Sequence, residues 1–184
     1  MALAHAILSS ILKHPSSGYE LAKEFDRVVS HFWNATHQQI YRELASMERD
    51  GLVTAELIEQ KDRPNSKWYS ITDHGRQVLA AWVAQPIGVS AMREDLLIKL
   101  RAESLVDRHI LIGEIERHRQ IHLDKQAFYG AVIARDFPDV TMLSSTALAD
   151  YLVIRCGVRY ELAYVDWCDE ALAALNAHDA IKNS

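Results

Sequence analysis

Thr36-His37-Gln38-Gln39-Ile40-Tyr41-Arg42 holds the densest set of side chains suited to recognition. Gln carries a donor beside an acceptor, and Arg a planar fork of donors. These match the edges of adenine and guanine in a DNA major groove. At about 100° per residue, Gln38, Arg42, Ala45 and Arg49 share one helix face, opposite an apolar stripe of Ile40, Leu44 and Met47. Thr36 and His37 open that helix, where outward-pointing backbone N–H groups favour phosphate. Lys61, Arg63 and Lys67 sit in the turn Lys61-Asp62-Arg63-Pro64-Asn65-Ser66-Lys67, a set of cations suited to a nucleic-acid backbone. Tyr19 either reaches a phosphate with its hydroxyl or buries its ring. The plainer alternative for the helix face and the turn alike is solvated polar surface.

Local signals say which elements must hold these residues. Residues 3–13 carry Leu3, Ile7, Leu8, Ile11 and Leu12 at helical spacing, and Pro15 ends the run. Ser17 with Glu20 and Thr36 with Gln39 each form a capping box, so two further helices start there. Gly51 stands just past the end of the second of these. Leu52 to Gln60 and Lys67 to Ile71 are strand-like and joined by a polar turn. Thr72 or Asp73 caps a fourth helix bearing Val78, Leu79, Trp82 and Val83. Helix, turn, helix, hairpin and helix in this order is the layout of a winged helix-turn-helix, whose second helix enters the major groove.

The pattern breaks around Pro86-Ile87-Gly88, which divides the chain into residues 1–86 and 90–178. The second part reads as helical throughout. Residues 90–134 carry Leu97, Leu100, Leu111, Ile115 and Leu123, with weak interruptions at Ser104 and Gly113. After a turn at Pro138 and Ser144-Ser145, residues 146–177 place Tyr151, Ile154, Val158, Leu162, Val165, Cys168, Leu172 and Leu175 at intervals of three and four. A helix of about 45 Å cannot bury such a stripe alone in so small a lobe. A second copy of the chain is the simplest cover, so Tyr151, Val158, Leu162, Val165 and Leu172 are the expected dimer contacts. The fold class is thus mainly α: an N-terminal winged helix-turn-helix with a two-stranded wing, then a C-terminal helical dimerisation domain.

Other chemistries find little support. His118 and His122 have i, i+4 spacing, but Arg119 stands where a zinc protease places its Glu, and no third ligand is near in sequence. Neither a Gly-rich phosphate loop nor a nucleophile elbow occurs, so no enzyme, metal or cofactor is expected. Phe32, Trp33 and Trp82 are candidates for a small-effector pocket, with ordinary packing as the alternative. Cys156 and Cys168 lie on one helix without metal-ligand spacing, which suits a reducing cytoplasm. No apolar run approaches the roughly 20 residues of a membrane span. Charge argues the other way from DNA. The formal net charge is −5, and residues 1–86 hold nine Lys/Arg against ten Asp/Glu. A winged helix that binds protein instead of DNA is therefore the rival reading, and any DNA affinity must come from locally placed cations.

Several runs together resemble one family. They are Ser16-Ser17-Gly18-Tyr19-Glu20-Leu21, Phe32-Trp33-Asn34-Ala35, Gln39-Ile40-Tyr41-Arg42-Glu43-Leu44, Glu48-Arg49-Asp50-Gly51-Leu52-Val53, Arg63-Pro64 and Tyr69-Ser70-Ile71-Thr72-Asp73-His74-Gly75. As a set they resemble the PadR family of bacterial transcriptional regulators, and the Phe-Trp pair looks most like the branch containing AphA. Met92 to Leu100 and Gly157 to Leu175 resemble that branch's helical C-terminal domain. The resemblance is dense over residues 7–100 and looser beyond. It implies a homodimer joined through C-terminal helices on double-stranded DNA with a pseudo-palindromic operator. Some members of the family answer to small aromatic molecules and others to no ligand.

Overall fold

The computed structural model describes residues 2–27, 35–58, 66–89 and 91–182. Two compact units emerge, Met1–Ser90 and Ala91–Ser184.

In the first unit, helix α1 (Ala2–Ile11) is followed by a short strand β1 (Ser16–Ser17) and helix α2 (Gly18–Arg27). Then come α3 (His37–Arg49), β2 (Val53–Ile58), β3 (Ser66–Ile71) and α4 (Asp73–Val83). The expected capping devices start the helices. Ser17 Oγ accepts the Glu20 N–H at 3.1 Å, and Glu20 Oε2 accepts the Ser17 N–H at 3.0 Å. Thr36 and Gln39 make the same reciprocal pair at 3.2 and 2.8 Å. Each such cap is worth about 1 kcal/mol, because it satisfies donors that the helix itself cannot.

Gly51 adopts φ +70°, a conformation that a side chain would strain. Its N–H and that of Leu52 turn back to the Glu48 and Met47 carbonyls at 3.2 and 2.9 Å, closing α3 and aiming the chain into β2. The wing is more than the expected hairpin. β3 lies between β2 and β1, with Ser16 opposite Tyr69 and Ser17 opposite Trp68, all antiparallel. Two serines beside a proline gave no strand signal, since pairing here depends on a distant partner.

The core of this unit takes Ile7, Leu8 and Ile11 from α1, Leu21, Ala22 and Phe25 from α2, and Ile40, Leu44 and Met47 from α3. Val53, Tyr69 and Leu79 close it from the strands and α4. Burying each large side chain contributes about 1.5–3 kcal/mol. Two close approaches exclude larger residues. A Cβ on Gly75 would lie 2.2 Å from the Leu52 carbonyl oxygen, and one on Gly18 would lie 2.5 Å from the Tyr41 ring.

The second unit comprises α5 (Asp95–Arg101), α6 (Arg108–Asp136) and α7 (Ser145–Lys182). Short 3-10 turns stand at Glu103–Leu105, where a weak interruption is expected at Ser104, and at Val140–Met142, within the turn expected from Pro138 to Ser145. Gly113 interrupts nothing, because α6 runs through it. Its Asp107 N-cap accepts the His109 N–H. α6 and α7 pack along much of their length. Gly157 lets α7 approach closely, as a Cβ there would meet the Tyr129 ring at 3.0 Å.

The seam between α6 and α7 takes up part of the apolar stripe of α7. Val158 and Val165 are buried at 7 % and 6 % exposure by the chain itself, together with Leu111, Ile115, Tyr129 and Cys168. Leu172 packs with the Leu96, Ile115 and Cys168 cluster, and Tyr151 lies against Phe137 at 5.8 Å between ring centroids. Leu162 is half-buried. Val158 and Val165 are thus already covered within the chain, where α7 packs on α6. Leu148, Leu152, Val153 and Tyr160 are the large apolar residues of α7 that stay exposed among the described residues.

The same seam holds a polar pair. His122 Nδ1 hydrogen-bonds Glu161 Oε2, and both residues are buried. The His122 ring stacks on Tyr164 at 3.8 Å. Burial together with the Glu161 charge pushes the Tyr129 hydroxyl up to about 12. The i, i+4 histidines therefore do structural work. His118 faces Glu114 and Tyr164 while His122 is committed to Glu161.

Candidate nucleic-acid interface

α3 presents the expected recognition residues as its periodicity requires. Ile40, Leu44 and Met47 face the core, and Thr36, His37, Gln38 and Arg42 are all exposed. The Thr36–Gln39 box fixes the first turn, so the backbone N–H groups there keep a set direction. Tyr19, 67 % exposed at the start of α2, is not a core residue, which removes the packing alternative. Beside it Tyr41 lies across Gly18, so the opening turn of α2 and the middle of α3 are held in contact.

The wing departs from expectation at Lys67. Its ammonium donates to Glu48 Oε2 at 2.6 Å, across from the last turn of α3, and stands 5.7 Å from the centre of the Tyr69 ring. That bond holds the ammonium above the usual lysine range. A lysine engaged in this way offers less charge to a phosphate than a solvated one. Lys61 and Arg63 lie outside the described residues, as do Phe32 and Trp33.

Trp82 stacks on His5 of α1, with ring centroids 4.5 Å apart and planes within 10°, and remains 41 % exposed. It is thus a packing residue of the first unit on one face and open on the other. In the second unit, Leu100, Glu103, Arg108, Ala171, Ala174, Leu175 and His178 line an open cleft of about 400 Å³. Arg108 is already engaged there by Glu103 and by His178 Nδ1 at 2.8 Å. Among the described residues, no three His, Cys, Asp or Glu side chains gather to hold a metal ion. No helix among them is long and apolar enough to cross a membrane. Glu48 and Tyr41 are the residues of this surface that sequence reasoning missed. Glu48 reads as an ordinary helix-surface acid, and only Gly18 hints that a ring lies over α2.

Comparison with known proteins places this geometry. Residues 7–81 match the transcriptional regulator PadR-like family, and residues 92–176 match the C-terminal domain of the virulence activator alpha family. The chain is 40 % identical over 185 residues to the probable transcriptional regulator Rv1176c of Mycobacterium tuberculosis, covering 95 % of this chain and 98 % of that one. The structure of the Vibrio cholerae virulence activator AphA superposes with a TM-score of 0.78 at 31 % identity, over 96 % of this chain and 99 % of AphA. Bacillus subtilis PadR in complex with operator DNA gives a TM-score of 0.83 at 25 % identity, over 95 % of this chain and 99 % of PadR. The same protein in complex with p-coumaric acid gives 0.75 at 25 % identity, with 95 % of each chain covered. Sharing the winged helix of the one domain and the long helices of the other over nearly its whole length, the chain belongs to the PadR-like family of transcriptional regulators, in the branch of AphA.

Proposed function

We propose that this regulator is a homodimer that reads a pseudo-palindromic operator by placing α3 of each subunit in the major groove. The observation that carries the reading is the exposed row of Gln38 and Arg42 on a helix whose opposite face is locked into the core. The PadR complex with operator DNA supports it. Arg42→Ala is expected to weaken operator binding by about 1–3 kcal/mol, roughly fivefold to 150-fold, with the fold unchanged. The measurement is the shift of a labelled promoter fragment by each protein, with circular dichroism as the control. Equal affinity and sequence preference in the mutant would move the reading face elsewhere. No shift by the wild-type protein at any salt would favour the protein-binding winged helix instead.

One recognition helix reads only a half-site, so two must be held about 34 Å apart or a multiple of that. The exposed apolar row Leu148, Leu152 and Tyr160 on α7 is the surface proposed to hold them. Leu152→Asp would bury an unpaired carboxylate in that contact, at a cost of several kcal/mol. Light scattering is expected to show a folded monomer that has lost the operator. An intact, operator-binding dimer would place the contact on another face. A small aromatic effector completes the proposal. The PadR complex with p-coumaric acid supports it, and Phe32, Trp33 and the open face of Trp82 are the residues offered for it. Adding p-coumaric acid to the shifted complex tests this. Release of the fragment is expected, and an unchanged shift at saturating acid would withdraw the effector.

A further inference from the structure

Lys67 stands on β3 opposite Leu57, where the stem of the wing leaves the body of the unit. Its ammonium reaches Glu48 in the last turn of α3 at 2.6 Å, with the two side chains 47 % and 35 % exposed. An ion pair so open to water adds little to stability, with a median near 0–1 kcal/mol. Its effect lies elsewhere. It joins the recognition helix to the wing through side chains nineteen residues apart, and it neutralises a cation on the surface meant for DNA.

We propose that Glu48 is a positioning residue that holds the wing stem through Lys67 and withholds that lysine from the phosphate backbone, lowering affinity for DNA of any sequence. This rests on the DNA-binding reading of α3. The first unit has no basic excess, so each withheld cation matters to how strongly the protein holds random duplex. A phosphate contact carries no sequence information, so withholding it lowers specific and non-specific affinity by the same factor. Glu48 would thus set how tightly, and how steeply with salt, the protein holds any duplex without touching a base.

The test measures binding of the full-length protein to a random-sequence duplex across a salt series, for wild type, Glu48→Gln, Lys67→Gln and the double variant. Freeing one lysine to meet a phosphate steepens the slope of log affinity against log salt by about 0.9. Glu48→Gln is therefore expected to steepen it by that amount, so its advantage over wild type grows about threefold as salt is lowered fourfold. Lys67→Gln alone should leave the slope unchanged, and the double variant should return to the wild-type slope. Simple repulsion between Glu48 and DNA would strengthen binding equally with and without Lys67, and that result overturns the proposal. So does a Lys67→Gln slope flattened by about 0.9, because the lysine would then already be on the backbone. If Glu48→Gln fails to fold, the Lys67→Gln slope decides alone. Absence of any salt-sensitive binding by the wild type would instead remove the DNA-binding reading, and this proposal with it.

Discussion

Glu161→Ala is expected to destabilise the protein by about 3–5 kcal/mol, a large share of what holds a domain of this size together. The substitution leaves His122 buried, stacked on Tyr164, with nothing for Nδ1 to bond. Polar groups stranded in a packed seam lose their hydration and gain nothing in return. Replacing both residues with leucine should behave differently. An apolar pair of similar volume fills the seam without desolvation and is expected to equal wild type or exceed it by about 1–4 kcal/mol. Urea unfolding at one fixed protein concentration, followed by circular dichroism, separates the cases. A Glu161→Ala midpoint equal to that of wild type would mean that the pair is solvated after all. If the double variant were as unstable as the single one, shape and not charge would be what matters at the seam.

Gly75→Ala is the second large effect, and it acts in the other unit. The Leu52 carbonyl accepts the Thr72 N–H at 3.1 Å, while Thr72 Oγ1 donates to the Gly51 carbonyl at 2.7 Å and accepts the Gly75 N–H at 3.0 Å. This small network seats the first turn of α4 on the end of α3. A methyl group 2.2 Å from a backbone oxygen cannot be absorbed by turning a side chain. Either α4 lifts away or the Gly51–Leu52 turn moves, and both damage the core around Leu79 and Val53. Overpacking of this kind typically costs about 1–3 kcal/mol, and a rigid backbone neighbour places it at about 3 kcal/mol or more. The expected result is a lower thermal midpoint together with weaker operator binding. A mutant melting with wild type would show that the α3–α4 junction has room to adjust.

What could be read from the chain without coordinates follows the range of each interaction. Ser17–Glu20, Thr36–Gln39, Thr72 and Gly51 act over a few residues, and each was legible because its geometry is written locally. The Ile40, Leu44, Met47 stripe was legible for the same reason, and with it the face carrying Arg42. Lys67 reads as a free wing cation in the sequence because its partner lies nineteen residues away across a turn. The α7 stripe shows the same limit. Periodicity says that Val158 and Val165 are covered, but α6 and a second chain would demand the same spacing. His122 and Glu161 are thirty-nine residues apart, and nothing near either one announces the other.

The two-residue strand β1 has a consequence for how the first unit comes together. Ser16 and Ser17 find their partners only when Trp68 and Tyr69 have arrived, with all of α2, α3 and β2 between them. Closing so long a stretch of chain must be compensated by contacts that form with it, and two backbone pairings supply little. The β1–β3 pairing is thus among the contacts of longest sequence separation in this unit, the kind that slows folding. A chain still on the ribosome, with β3 inside the exit tunnel, cannot seat β1. The segment of α3 is thus synthesised well before the strand against which β1 must pair.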